Sequence, residues 1–228
     1  MDSMVQRILS SGLLALMLAA SAEAANAETA PAWPDSFTSR VEALALLQSL
    51  NADLLSHESA TLTLDRWCGL HKLAAPARIT AEQVHGAQKS PTAEQRKLLG
   101  VSPTEPVRYR RVRLHCGDRV LSEADNWYVP ARLTPEMNRV LDSTDTSFGR
   151  VVQPLHFQRH TLAAQLLWRP LPEGWEMGSP LPSPGKTLQI PADVLQHRAV
   201  LTLPDGTPFS EVIETYKSDI FAFPMPRR

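Results

Sequence analysis

Cysteine is nearly absent from this chain: its 228 residues include only Cys68 and Cys116. A pair is too few for a disulfide scaffold, and the separation is wrong for a zinc site. Excess charge of either sign is missing too. A formal net charge of -1 excludes a nucleic-acid or membrane-surface role resting on bulk electrostatics. There is no G-x-S-x-G elbow, no phosphate loop, no Cys-x-x-Cys and no internal repeat. What remains, 43% hydrophobic and 21% charged, suits one compact domain of ordinary composition.

The N-terminus is a different material. Arg7 precedes an apolar stretch, Ile8 to Ala20, and small residues then give A-x-A sites ending at Ala24 or Ala27. The stretch is short for a bilayer span, and no stop-transfer pattern follows. Against a core helix or a membrane anchor, residues 1–27 read as a cleaved secretory signal. The mature chain, 28–228, is then a single domain, periplasmic or secreted, with no stable membrane span. In such a compartment Cys68 and Cys116 form either one disulfide or two buried thiols.

Apolar residues at three- and four-residue spacing predict a helix over Ser39–Leu55, and a second is expected over Thr61–Leu73. A strand is expected at Ile79–His85 and a helical turn near Ala93–Leu99. A hairpin turns at Cys116–Asp118, and Thr134 caps a short helix that Pro135 opens. Val151–Trp168 carries strand-forming residues and predicts a second antiparallel pair. Residues 169–191 are rich in proline and glycine, which excludes a central strand and suggests a lid or a mobile insertion. A last hairpin joins Arg198–Leu203 to Phe209–Tyr216 across Pro204-Asp205-Gly206. Helices first and antiparallel strands after predict an α+β domain with helices packed on one sheet face.

The first hairpin carries the chemistry. Arg108, Arg110, Arg111 and Arg113 crowd one strand, whose alternate residues face opposite ways. An inward arginine needs an anionic partner, because an unpaired charge in a low-dielectric interior is very costly. Val112 and Leu114 share a face with Arg110, whereas Arg111 falls with Tyr109, Arg113 and His115. Parity therefore favours Arg110, with Arg111 as the competing register.

Five segments in order resemble the chorismate pyruvate-lyase family and the related ligand-binding domain of GntR-type regulators. They are RRVRL (Arg110 to Leu114), YVP (Tyr128 to Pro130), LTPEM (Leu133 to Met137), TSFGR (Thr146 to Arg150) and EVIETYKSDIFAF (Glu211 to Phe223). The resemblance implies a single antiparallel sheet with helices on one face enclosing a ligand pocket, and release of pyruvate from chorismate, or a related anionic cyclic ether, to give 4-hydroxybenzoate. It implies no metal and no organic cofactor. It places the carboxylate clamp at Arg110 or Arg111, apolar and main-chain contacts at Phe148 and Gly149, a helix-start contact around Ala60, and the catalytic glutamate at Glu214. Among bulky neighbours Glu214 is expected to be pushed toward its protonated form, so as to donate to the departing ether oxygen. A glutamate paired with a sheet arginine as an internal ion pair is the structural alternative. Glu211 falls on the opposite face, Arg159 either adds positive potential to the pocket or is an exposed strand residue, the reading preferred, and His156 and His160 on a strand are too far apart for a metal.

Departures from the family keep the function open. The lyases are cytoplasmic, the 169–191 insertion is extra, and the arginine strand carries more charge than theirs. Beside the lyase stands an exported protein that binds a small anion without turning it over, and a third reading is an assembly protein that has lost the pocket. The partner expected under the first two is a small carboxylate ligand, with no nucleic acid.

Overall fold

The computed structural model describes residues 32–225. The signal reading of 1–27 lies outside the described residues. Helix α1 (Phe37–Ser56) is capped by the Ser36 hydroxyl and buries Ala43, Leu47, Leu50 and Leu54 along one stripe. Helix α2 (Ala60–Leu70) is capped by Ser59 and buries Leu64, Trp67 and Cys68. Strand β1 (Ile79–Gln83), helix α3 (Ala93–Leu98), and the hairpin of β2 (Arg108–Cys116) and β3 (Arg119–Tyr128) follow. Thr134 caps α4 (Pro135–Ser143), with Pro135 in the first turn where its missing N–H costs nothing.

After α4 the expected second strand pair is corrected. Residues Phe148–Val152 form a short helix, α5, and Gln153–Leu155 a 3-10 turn. Only Gln158–Leu166 is strand, β4. Its partner is β5 (Asp193–Thr202), which continues into β6 (Pro208–Lys217). The six strands form one antiparallel sheet in the order β1-β2-β3-β6-β5-β4. The fold is thus α+β with a single sheet. Helices α1 and α2 pack on one sheet face through Leu47, Leu50, Leu64 and Trp67, against Val112, Leu114, Leu195 and Tyr216. On the other face, Leu99 at the end of α3 packs with Trp127 and Val129.

Cys68 on α2 and Cys116 at the end of β2 are joined in a disulfide, with Cα atoms 6.0 Å apart. It staples the helical layer to the sheet across a sequence separation of 48 residues. The 169–191 insertion is anchored to the body of the domain. Leu171 and Leu188 are buried, and Leu188 N donates to Trp33 O at 2.9 Å. Gly185 N donates to the Asp35 carboxylate at 2.7 Å.

The sheet separates the β2 arginines by parity. Arg110, Val112, Leu114 and Cys116 are buried while the residues between them are not. Arg111 and Arg113, facing outward, share the Glu123 carboxylate of β3 at 2.9 and 3.0 Å, and Lys217 of β6 also reaches Glu123. Arg108 pairs with Asp142 at 2.6 Å. Carboxylates from within the chain thus answer three of the four.

Candidate ligand cavity

Between the inner sheet face and the helix starts lies a small cavity of about 50 Å³. Its floor is Arg110, Val112 and Leu114 of β2, Ala124 and Asn126 of β3, Val212 and Glu214 of β6, and Leu201 and Arg159 from the far strands. The roof is Ser59, Ala60 and Thr61 at the start of α2, Ser147, Phe148 and Gly149 at the start of α5, and Phe157. Five strands that neighbour one another in the sheet, β2, β3, β6, β5 and β4, meet two helix starts here.

Arg110 is 3% exposed. Its Nη2 donates to the carbonyls of Thr144 (3.2 Å) and Thr146 (3.0 Å), in the loop between α4 and α5. Among the described residues its Nε and Nη1 have no partner. Burial pulls its guanidinium below its ordinary value, and Asp145 and Asp142 offset this only through space. A guanidinium still keeps its proton, so a charged fork with two unused donors borders the cavity.

Glu214 is placed in the same cavity, but not among apolar side chains alone. Its Oε2 accepts from Arg159 Nη2 at 2.5 Å and from the Tyr216 hydroxyl at 3.2 Å. Both charged side chains are buried, at 5% and 9% exposure. Arg159 is therefore an inward residue, correcting its reading as an exposed one, and Glu214's partner comes from β4 rather than β2. Burial works against the Arg159 charge, but the Glu214 carboxylate more than offsets it and raises the guanidinium. Burial, reinforced by Glu214, raises the Tyr216 phenol well above its ordinary value. Beside them, on β5, burial pushes the His197 imidazole down to about 4. Its Nε2 lies 2.7 Å from Asn51 Oδ1, and Nδ1 has no partner among the described residues.

The sequence-predicted residues divide cleanly. Arg110, Glu214, Phe148, Gly149 and Ala60 all line the cavity. Arg111 does not; it stands on the outer face with Glu123 and, at 3.8 Å, Asp125. At Gly149 a Cβ would sit 3.3 Å from Ser59 Oγ, so the two roof helices meet at a point where a side chain would crowd. Phe148 also stacks toward Tyr128 and Phe209, which anchor it. Arg159, Phe157 and Ser147 were missed as site residues. The period-2 pattern of Phe157 and Arg159 is the signal that could have found two of them. Among the described residues, no cluster of three or more His, Cys, Asp or Glu is arranged to hold a metal, and no helix is long and apolar enough to cross a membrane.

No protein-family model matches the chain. Several solved structures are loosely similar. PhnF of Mycobacterium smegmatis matches with 13% identity over 76% of this chain and 70% of its own, at a TM-score of 0.47. A GntR-family transcriptional regulator of Enterococcus faecalis matches with 13% identity over 65% of this chain and all of its own, at 0.40. YydK of Bacillus subtilis matches with 16% identity at 0.38, over 65% of this chain and only 62% of YydK. At these scores the fold rests on the strand order itself. Sequence similarity is much stronger to the uncharacterized protein y4mC of Sinorhizobium fredii, 60% identical over 196 residues, which cover 85% of this chain and 83% of that one. The chain belongs to the same family as y4mC.

Proposed function

We propose that this protein binds a small carboxylate in the cavity, with Arg110 as the clamp. One observation carries the reading. Arg110 is buried with Nε and Nη1 unpartnered, and each can donate a charge-assisted hydrogen bond to an anion in the cavity. Val112, Leu114, Phe148, Phe157 and Val212 would enclose an apolar body. Gly149 and Ala60 would let the roof backbone approach it. Calorimetric titration with 4-hydroxybenzoate tests the proposal: binding is expected in the wild type and a loss of at least tenfold in Arg110→Ala. Unchanged affinity in that variant would remove the clamp.

A lyase reading retains one support: Glu214 lines the same cavity as Arg110. Its weakness is that Glu214 is engaged as an acceptor by Arg159 and Tyr216, whereas a general acid must donate. Mixing the protein with chorismate and following 4-hydroxybenzoate absorbance decides; turnover abolished by Glu214→Gln would restore the enzyme. We also propose that the protein is exported. The Ile8–Ala20 apolar stretch supports this, as does the Cys68–Cys116 bridge, a bond favoured in oxidising compartments. Cell fractionation should recover the protein outside the cytoplasm with its N-terminus at Ala25 or Glu28.

A further inference from the structure

We infer that the cavity selects a monoanion, a ring acid with one carboxylate at Arg110 and an uncharged hydroxyl or carbonyl facing the Arg159–Glu214 pair, and that it rejects dianions. This rests on the carboxylate reading above and names the class of ligand it takes.

The charges and unused donors that border the cavity set what it can accept. Arg110 contributes one positive charge with no carboxylate in contact and two unpartnered nitrogens, Nε and Nη1. Arg159 contributes a second, but Glu214 cancels it at 2.5 Å inside the same walls. Arg159 also keeps a buried Nε–H without a partner. A donor on a neutralised pair suits a neutral acceptor. The Ser147 hydroxyl, also buried and unpartnered, adds a second neutral donor in the roof. Glu58 is exposed at the rim, where water screens it.

Spacing limits the ligand's body. Glu214 pairs with Ala124, and Ala124 with Val112, so Glu214 lies two strands from β2, and Arg110 is two residues along. Strand spacing and rise put the two Cα positions about 12 Å apart. With both side chains pointing inward, a single ring fits between them and a long chain does not. A dicarboxylate of that size, chorismate included, would set its second charge against Glu214. In a low-dielectric enclosure, like-charge juxtaposition costs several kcal/mol.

Two para-substituted rings test this directly: 4-hydroxybenzoate, a monoanion at pH 7.5, and terephthalate, its dicarboxylate counterpart. Calorimetric titration of the full chain should show 4-hydroxybenzoate binding at least tenfold more tightly. Its binding heat should not change between phosphate and Tris buffers, because no proton need be taken up. In Glu214→Gln the second arginine is uncompensated, so the preference should shift toward terephthalate by tenfold or more. Terephthalate binding the wild type as tightly as 4-hydroxybenzoate overturns the inference, whether or not the variant folds. If neither acid binds the wild type, or if Arg110→Ala leaves both affinities unchanged, the carboxylate reading itself falls.

Discussion

Replacing Arg110 with methionine should make the ligand-free protein more stable, an unusual result for a buried charged residue in a sheet. Removing a buried charge from water carries an effective penalty of several kcal/mol, which only a good partner offsets. Arg110 has no carboxylate in contact, and its hydrogen bonds are two carbonyl contacts at 3.0 and 3.2 Å. Bonds from a charged group are worth roughly 1.5–3 kcal/mol each, and contacts this long belong at the low end. About 3 kcal/mol of hydrogen bonding therefore stands against a penalty of about 5 kcal/mol. Methionine keeps the apolar stem against Val112 and Phe148, and water can reach the carbonyl of the exposed Thr144. The expected net gain is about 1–2 kcal/mol, or ~2–8 °C in Tm for a domain of this size. Arg159→Met is the matched control with the opposite sign. It strands Glu214 in the interior with only the Tyr216 hydroxyl, and breaking a buried pair typically costs 3–5 kcal/mol. Urea midpoints on extensively dialysed protein, with m-values compared to verify a common unfolded state, measure both. Residual ligand would stabilise the wild type and mask the effect. If Arg110→Met loses more than about 1 kcal/mol, Arg110 is a satisfied structural residue, and the premise of an anion clamp is gone.

Three other outcomes follow from the same geometry. Cys68→Ala with Cys116→Ala should lower stability by about 4 kcal/mol in the loop-entropy model for the 48-residue separation, read from the urea midpoint against the oxidised wild type. Acid should destabilise the fold in two overlapping windows. His197 is held neutral by burial down to about 4, below its ordinary 6.5. The unfolded chain thus binds a proton the native state refuses, and roughly 3 kcal/mol is lost as pH falls from 6.5 to about 4. For Glu123, burial pulls upward, but Arg113, Arg111 and Lys217 prevail and hold it at about 2, so its contribution is full above 4.5 and lost on the way to 2. His197→Gln should flatten the upper window alone in a pH series of urea unfolding. Gly149→Ala should weaken 4-hydroxybenzoate binding severalfold while leaving Tm within a few degrees. Its new Cβ meets the Ser59 and Thr61 hydroxyls, at 3.3 and 3.7 Å, rather than the core; an unchanged affinity would detach the α5 start from the site.

Local physics explains why so much of this site is visible in the chain. The apolar alternation of Val112 and Leu114 decides which arginine of β2 turns inward, because a one-residue slip would bury Arg111 and Arg113 together. The same alternation puts Glu214 with Val212 and Tyr216, and Glu211 on the other face, where Arg198 meets it at 2.6 Å. Thr134 and Pro135 mark the α4 start because capping depends only on neighbouring residues. Val151–Leu155 misled because β-branched residues favour strands only weakly. Here Val151 and Val152 are buried in a helical turn by packing with Phe148 and Leu141.

Arg159 marks the limit of that kind of reading. Its parity with Phe157 is local, but its partner is not. To meet Glu214, β4 must lie at the sheet edge beside β5 while β5 pairs with β6, a strand order set by the whole topology. A bulge between Thr161 and Ala163 then shifts the register of the rest of β4, so residues before and after it do not share one count. The consequence is chemical rather than architectural. Without Arg159, Glu214 would keep only the Tyr216 hydroxyl as a partner. With Arg159 at 2.5 Å it is an acceptor in a neutral pair, and Arg110 alone defines the charge the cavity asks of its ligand. One edge-strand residue thus shifts the balance between the two readings, from an enzyme acting on a dianion toward a receptor for a monoanion.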